Sequence, residues 1–233
     1  MVVSWPQSGC VPPARVRASL RARLAGMAGA LFIAGGAAAV GVAVSAQVHA
    51  PQASAAAAGS TGPSAGRGPW LQRSLPVSVT IPAIGVKAGV LHLGVNSDGT
   101  IQVPSVYTQA SQAAWYKYSV TPGQIGASVI EGHVDTRHGS AVFFRLGALR
   151  PGDRIDVRLA DGATAVFRVT GVRRYLKSRF PAKVIYGAAR YAALHLITCG
   201  GTFDGATGHY LSSTVVFASL TSARRAGARR AGG

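Results

Sequence analysis

The sequence predicts an all-β domain, most economically a closed eight-stranded β-barrel with short helices. From Pro76 onward, short runs rich in β-branched and aromatic residues are bounded by turn residues, as in strands joined by tight connections. The same stretch shows little helical periodicity, so helices are expected only as short connections. Closing the sheet removes exposed strand edges, which favours a barrel over an open sheet.

The strands are expected along the whole domain, and the clearest lies at 153–160, where polar and apolar residues alternate strictly. Asp161-Gly162 follows it, a dipeptide typical of two-residue hairpin turns. Two stretches, 107–116 and 140–146, are expected to form short helical or irregular connections. We expect the eight strands at 77–84, 86–94, 100–103, 127–133, 153–160, 163–175, 193–198 and 213–219.

The charge distribution separates the two ends of the chain from its middle. The 24 Lys and Arg residues outnumber the seven acidic residues, for a net charge of +17. The acidic residues lie within 98–161 and at Asp204, so both ends are purely basic. This pattern suits anionic lipid or cell-wall polymer at least as well as nucleic acid. Because the middle lacks a dense basic helix and interleaved aromatic residues, no nucleic-acid partner is predicted.

A membrane anchor is predicted near the N-terminus. An uncharged run at 24–46 follows four arginines within 15–23. The run is long enough to cross about 30 Å of hydrocarbon, and the arginines orient its N-terminal end inward. We predict a basic cytoplasmic segment at 1–23 and a transmembrane anchor at 24–48, or a signal peptide cleaved after Val-His-Ala. Both interpretations place the rest of the chain outside the cytoplasmic membrane. With the uncleaved anchor, the protein is a single-pass protein of the cell membrane with an extracytoplasmic domain.

Segments of simple composition flank the predicted domain. Residues 49–75 are mostly Ala, Gly, Ser, Pro and Thr, a composition that predicts a flexible linker. Residues 223–233 contain only Arg, Ala and Gly, and a disordered basic tail is expected there. The folded domain therefore corresponds to 76–222.

Two cysteines, Cys10 and Cys199, fall on opposite sides of the predicted membrane span and are not expected to pair with each other. Cys199 follows the apolar strand Leu-His-Leu-Ile-Thr and precedes Gly200-Gly201. Two glycines leave room for a substrate backbone and offer N–H groups to a developing oxyanion. A nucleophilic thiol and a buried structural cysteine are both compatible with this segment.

His133 is the histidine with the most suggestive setting, because it ends the strand predicted at 127–133 and follows Gly132. A general base for a thiol must lie within hydrogen-bonding reach of it. A structural, hydrogen-bonded histidine is the alternative interpretation. The sequence has no paired-cysteine or His/His ligand spacing and no Gly-rich phosphate loop, so neither a metal nor another cofactor is predicted.

Four ordered blocks resemble class F sortases of actinobacteria. GHVDTRHGSAVFFRLGALRPGD at 132–153 and LITCGGTFDGATGHY at 196–210 are similar to the two signature regions of that family. VTIPAIGVKAGVLHLGVNSDGTIQVP at 79–104 and RYLKSRFPAKVIYG at 174–187 are similar to its opening strands and to the loop before the cysteine strand. The resemblance covers about 76–219 and implies an eight-stranded sortase barrel behind an N-terminal membrane anchor.

The resemblance also implies a mechanism. The Cys199 thiolate attacks the Thr–Gly carbonyl of an LPXTG-like sorting signal on a secreted protein, and His133 protonates the departing amine. An amine of peptidoglycan or of a pilin then resolves the thioester. Thr198, beside the nucleophile, is expected to contact the substrate. The implied partners are therefore secreted proteins with such a signal, an amine acceptor and the cytoplasmic membrane.

One feature departs from the family. Sortases use an arginine, commonly on the strand after the cysteine, to hold substrate and stabilise the oxyanion. No Lys or Arg occurs between Cys199 and Arg224, and 211–213 is uncharged. Another arginine or backbone N–H groups could replace it, or the enzyme is impaired. The candidates for this role, in order of preference, are Arg145, Arg137 and Arg179.

Glu131 lies two residues before His133, so both side chains share one face of a strand. It is either a group that orients the imidazole or a solvated carboxylate at the rim of the cleft. Two rival functions also stay open. One is another exported cysteine peptidase that acts on peptidoglycan, and the other is a catalytically impaired, sortase-like binding module.

Overall fold

The computed structural model describes residues 49–61 and 68–225, in which ten strands occur. They are β1 (Pro76–Ile81), β2 (Val86–Leu93), β3 (Ala113–Tyr116), β4 (Gly126–Glu131), β5 (Asp135–Thr136), β6 (Gly139–Ser140), β7 (Arg154–Leu159), β8 (Ala163–Leu176), β9 (Ala192–Asp204) and β10 (His209–Arg225). Eight of them close into a barrel in the order β1-β2-β3-β4-β9-β10-β8-β7, and β5 and β6 form a separate hairpin. The pairs β2–β3 and β4–β9 are parallel, and the other pairs are antiparallel.

Helical structure in the described part is short, as the sequence predicts. One α-helix, α1 (Ala182–Ile185), lies between β8 and β9. Single 3₁₀ turns are present at Ala55–Ala57, Pro82–Ile84, Leu146–Ala148 and Lys177–Arg179. The predicted eight-stranded, mainly β barrel is therefore confirmed.

One predicted strand is wrong, and one observed strand was not predicted. Residues 100–103 contribute only an isolated bridge between Val95 and Ile101. The sheet instead recruits β3, within the stretch expected to be irregular. β3 forms because β2 and β4 supply hydrogen-bonding partners on both of its sides and Trp115 is buried. These tertiary contacts outweigh the weak strand propensity of its alanines.

The strand that carries Cys199 extends further than predicted. β9 continues through Gly200 and Gly201 to Asp204, whereas the sequence predicts its end at residue 198. β10 pairs alongside it, with Gly200 opposite Ser212. Pairing with β10 holds Gly200 in the strand, whereas Gly201 lies at a register shift and has a φ of 78°, which favours glycine.

The barrel core is formed by alternate residues of the central strands. Ile130, Leu194, Leu196 and Val216 belong to this main cluster and are fully buried. The neighbouring residues on the other face of the same strands are also buried, because the connection between β8 and β9 covers them. This second cluster comprises Val129, Ile185, Ile197, Val215 and Phe217, flanked by Tyr116, Tyr175, Phe180 and Tyr186.

Part of the predicted linker lies against the barrel. Ala57 is only 2% exposed, and the backbone N–H of Ser60 donates to Thr170 O at 2.9 Å. A Cβ added at Gly147 would meet Pro51 O at 2.1 Å, so the two backbones touch closely. The structure thus differs from the expected flexible spacer over 49–61, because backbone hydrogen bonds and close packing compensate for its simple composition.

The predicted cytoplasmic segment and membrane anchor, 1–48, lie outside the described residues, as do 226–233 of the basic tail. Within 49–61 and 68–225, the helices are all too short to span a membrane.

Candidate active site

The parallel pairing of β4 with β9 brings the segments that carry His133 and Cys199 side by side. Glu131 is the register partner of Ile197, and the next N–H, of Gly132, donates to Ile197 O at 3.1 Å. Thr198 Oγ1 donates to Gly132 O at 2.8 Å. β4 ends at Glu131, and His133 follows Glu131 by two residues, as Cys199 follows Ile197. Adjacent strands lie about 4.8 Å apart, so the two segments are immediate neighbours.

Cys199 is nearly buried, with 8% of its surface exposed. It forms a small cluster with Val134, against which Ala50, Phe144 and Tyr210 pack. The other cysteine of the sequence, Cys10, lies outside the described residues. The thiolate is the nucleophilic form of cysteine, so Cys199 can react only as a reduced, deprotonated thiol.

His133 is held in a fixed orientation. Its Nε2 lies 2.6 Å from Pro104 O, and its own carbonyl accepts from the N–H of Phe143 at 2.9 Å. A carbonyl oxygen only accepts hydrogen bonds, so Nε2 carries a proton. Nδ1 is then the ring nitrogen with a free lone pair that can accept a hydrogen bond.

Asp135 and Tyr210 form a pair that sequence reasoning missed. The Tyr210 hydroxyl donates to Asp135 Oδ2. Burial raises the pKa of Asp135, and the Tyr210 hydrogen bond and the charge of His133 oppose that rise. Burial and the Asp135 hydrogen bond both raise the pKa of Tyr210. The only sequence signal for the pair was the spacing of Asp135, two residues after His133.

The Glu131 carboxyl group forms its hydrogen bond with Tyr186 and not with His133. Its carboxyl group is buried, and Oε1 accepts a hydrogen bond from the Tyr186 hydroxyl at 3.0 Å. Burial raises the pKa of Glu131 to about 8, with the Tyr186 hydrogen bond opposing that rise. Its Oε2 has no hydrogen-bond partner among the residues that the structure describes. Glu131 therefore does not orient the His133 ring through a hydrogen bond, and it is mostly protonated at neutral pH.

A row of side chains crosses the sheet at the level of the cysteine. Ser213 is the register partner of Cys199 on one side and of Tyr175 on the other. Directly paired residues of antiparallel strands share a face, so these three side chains lie together. Ser213 Oγ is buried and has no hydrogen-bond partner within the described ranges.

An aromatic wall borders this row. Phe180 packs edge-on against Tyr175 at 6.3 Å between centroids, and Tyr186 packs against Tyr116 at 5.9 Å. A hydrogen bond also joins β9 to α1, because His195 Nδ1 donates to Ile185 O at 2.7 Å. Burial lowers the pKa of His195, which keeps that ring neutral.

The predicted third residue is not in contact with the cysteine segment. Arg145, Arg137 and Arg179 are exposed, and in the described part of the chain none of their guanidinium groups makes a hydrogen bond or an ion pair. Another arginine, Arg174, reaches this region instead. Its Nη1 donates to Gln52 Oε1 at 2.9 Å, and the same oxygen accepts from the Gly201 N–H at 3.1 Å.

Thr198 faces away from Cys199, since successive side chains of a strand alternate. It is 3% exposed and links β9 to Gly132 rather than presenting its hydroxyl to solvent. Among 49–61 and 68–225, no group of three His, Cys, Asp or Glu side chains is arranged to hold a metal ion. The two carboxyl groups closest to His133 in sequence, Glu131 and Asp135, are each bonded to a tyrosine hydroxyl.

A barrel that carries a cysteine on one strand and a histidine just after a neighbouring strand is compatible with a thiol-dependent acyl-transfer enzyme. The Sortase domain family matches residues 79–221, well over half of the chain. The chain therefore belongs to the sortase family and is a cysteine transpeptidase of that family. A comparison with curated proteins finds no match.

Solved sortases share the fold. Sortase A of Listeria monocytogenes is 18% identical, with a TM-score of 0.50, and the match covers 66% of this chain and 92% of that one. The SrtA sortase of Actinomyces oris is 21% identical, with a TM-score of 0.48 and coverages of 66% and 86%. Sortase A of Corynebacterium diphtheriae is 18% identical, with a TM-score of 0.48 and coverages of 65% and 62%.

Proposed function

We propose that this protein is a membrane-anchored class F sortase that uses Cys199 and His133 to cleave an LPXTG-like sorting signal. It transfers the released protein to an amine of peptidoglycan or of a pilin. The observation that supports the proposal is the β4–β9 register, which pairs Glu131 with Ile197, so that His133 and Cys199 each follow a paired position by two residues. The four sequence blocks similar to class F sortases support the subtype and the sorting signal.

The reaction follows from the two side chains. The Cys199 thiolate attacks the Thr–Gly carbonyl carbon, and the C–N bond breaks as protonated His133 gives its proton to the leaving amine. A thioester to Cys199 is left, with a neutral imidazole beside it. The acceptor amine attacks the thioester, His133 takes its proton, and the thiolate departs. Each cycle thus restores the thiolate and the imidazolium.

The oxyanion needs donors near the cysteine. The N–H groups of Gly200 and Gly201 are one source, although Gln52 accepts from Gly201 in this structure. Arg145 stays our first prediction for the arginine that binds the substrate, because its exposed guanidinium group would not have to break an existing side-chain hydrogen bond or ion pair. Substrate contact by Thr198 stays a prediction as well. An Arg145→Gln variant that loses kcat while retaining its fold would support the role of this arginine.

Location at the membrane is proposed from the sequence of 1–48 and from the family. The basic segment 1–23 and the apolar segment 24–48 suit a single inward-oriented anchor that leaves the catalytic domain outside. Fractionation of cells and protease treatment of intact protoplasts would test this. Recovery of the full-length chain in the soluble cytoplasmic fraction would contradict it.

The chemical test uses the reduced full-length chain with LPXTG-type peptides and with the matching peptide vinyl sulfone. We expect peptide cleavage and a single covalent adduct that maps to Cys199 by mass spectrometry. Cys199→Ala should lose both, and Ser128→Ala, a similar truncation in β4 away from the sulfur, should keep both. A reduced Cys199 that never reacts would refute the proposal.

Two other outcomes identify the rivals. Binding of the sorting peptide without cleavage or adduct would indicate the impaired binding module, which the uncharged stretch 211–213 favours. Cleavage of peptidoglycan stem peptides alone would indicate an exported cysteine peptidase instead. Offering both peptide classes in one assay series separates these cases.

A further inference from the structure

The short segment 50–52 lies against the strand that carries Cys199. Ala50 packs against the cluster formed by Cys199 and Val134. Gln52 Oε1 accepts a hydrogen bond from the N–H of Gly201, two residues after the cysteine, at 3.1 Å. The segment therefore contacts both the surroundings of the proposed nucleophile and a backbone donor that is proposed to serve the oxyanion.

The contact at Gly201 has the chemistry of a contact with a bound peptide. Two donors converge on Gln52 Oε1, the Gly201 N–H and Arg174 Nη1, which lies 2.9 Å away. This oxygen belongs to an amide, as does the main-chain carbonyl oxygen of a peptide. Gln52 Nε2 donates to Ala50 O at 2.8 Å, which fixes the orientation of the side-chain amide. An amide oxygen of the chain itself thus occupies an acceptor position beside the cysteine segment.

The two ends of the segment 49–61 are held by different kinds of contact. Towards its C-terminal end, Ala57 is buried and the Ser60 N–H donates to Thr170 O at 2.9 Å. The contact at Gly201 instead depends on the side chains of Gln52 and Arg174, which are both exposed. A hydrogen bond that water can replace contributes little net free energy. Residues 50–52 can therefore leave Gly201 while the rest of the segment stays in place.

We propose that residues 50–52 form a strap that occupies the substrate groove at Gly201 and has to move before the sorting peptide binds. Gln52 holds the strap closed, because its side-chain oxygen competes with a peptide carbonyl oxygen for the Gly201 N–H. The proposal rests on the proposed function, which supplies the peptide. Strap and peptide exclude each other without any covalent step, so the apparent affinity for the peptide falls with the fraction of molecules whose groove is open.

Alkylation of the reduced full-length chain with iodoacetamide tests the strap without any substrate. The rate is followed by mass spectrometry of the fragment that carries Cys199, and its plateau at alkaline pH is compared so that a changed thiol pKa has no influence. We expect Gln52→Ala to raise this rate about 10-fold, as for a groove that is open in about one molecule in ten. Gln52→Glu should lower it, since a carboxylate binds Arg174 more strongly than an amide does.

Gln124→Ala is the matched control. It removes another glutamine oxygen that accepts a backbone N–H, that of Thr121 at 3.0 Å, but at the opposite end of β4 from His133. Its alkylation rate and its KM should equal those of the wild type. Gln52→Glu has nearly the same shape as the natural side chain, so it tests the strap even if Gln52→Ala disturbs the segment.

Kinetics show whether the strap competes with the peptide. We expect Gln52→Ala to lower KM for an LPXTG-type peptide about 10-fold with little change in kcat, and Gln52→Glu to raise KM. Equal alkylation plateaus in the wild type and both Gln52 variants, or an unchanged KM in both, would overturn the proposal. Faster alkylation of Gln52→Ala in a chain that cleaves no peptide would refute the proposed function while supporting the closed strap.

Discussion

Replacing Glu131 with Gln should make the protein more stable at neutral and alkaline pH. Burial raises the pKa of Glu131 from 4.5 to about 8 in the folded chain. A raised pKa in the folded state gives stability that is complete below pH 4.5 and is lost as the pH rises toward 8. At about 1.4 kcal/mol per pKa unit, the part lost by pH 7 is about 3 kcal/mol.

Glutamine stays neutral at every pH, and its Oε1 can still accept the hydrogen bond from Tyr186. Its amide hydrogens lack partners in the buried site, which costs about 1 to 2 kcal/mol at all pH values. The net gain of Glu131→Gln at pH 7 is therefore about 1 to 2 kcal/mol, and it should reverse sign between about pH 5 and pH 6, where the lost stability equals the cost of the amide.

Urea denaturation followed by tryptophan fluorescence at pH 4.5, 6, 7 and 8 measures this difference. Other titrating groups contribute equally to both proteins and cancel in the comparison. The quantity of interest is the change in the stability difference between pH 4.5 and pH 7. If wild type and Glu131→Gln show the same pH dependence, then Glu131 is not the buried, protonated group inferred here.

Two further predictions concern packing. Gly147→Ala should loosen the 49–61 segment, because its Cβ would meet Pro51 O at 2.1 Å. Faster limited proteolysis within the segment would show this. Gly89→Ala is the control and should behave as wild type, because Gly89 has open space around it. Phe217→Ala should lower the free energy of unfolding by about 3 to 5 kcal/mol in urea denaturation, since it leaves a cavity beside His195, whose ring centroid is 4.8 Å away. A loss below about 1 kcal/mol would mean that the covering connection is not packed as described.

The barrel was predictable because strand signals are local. Strict alternation at 153–160 and the Asp161-Gly162 turn predict one hairpin, and repeated signals of this kind predict a closed sheet. Gly200-Gly201 after Cys199 was likewise visible as a place where a substrate backbone could approach. Local signals therefore sufficed for the fold class, whereas for Cys199 and His133 they left a catalytic and a structural interpretation open.

The features that were missed depend on contacts between distant segments. β3 is a strand because β2 and β4 flank it, and no property of its own residues indicates this. The bond between Asp135 and Tyr210 joins positions 75 residues apart. The role of Glu131 was misjudged because its burial depends on Tyr186, from a connection that follows much later in the chain. Spacing in the sequence carries no information about such pairings without the register of the sheet.

The parallel junction of β4 and β9 also governs when the enzyme becomes competent. A parallel pair requires a long crossover, here one that contains all of β7 and β8, so the junction closes only after most of the domain has been made. A chain in which β9 has not yet paired with β4 therefore lacks the contact that brings the segments of His133 and Cys199 side by side.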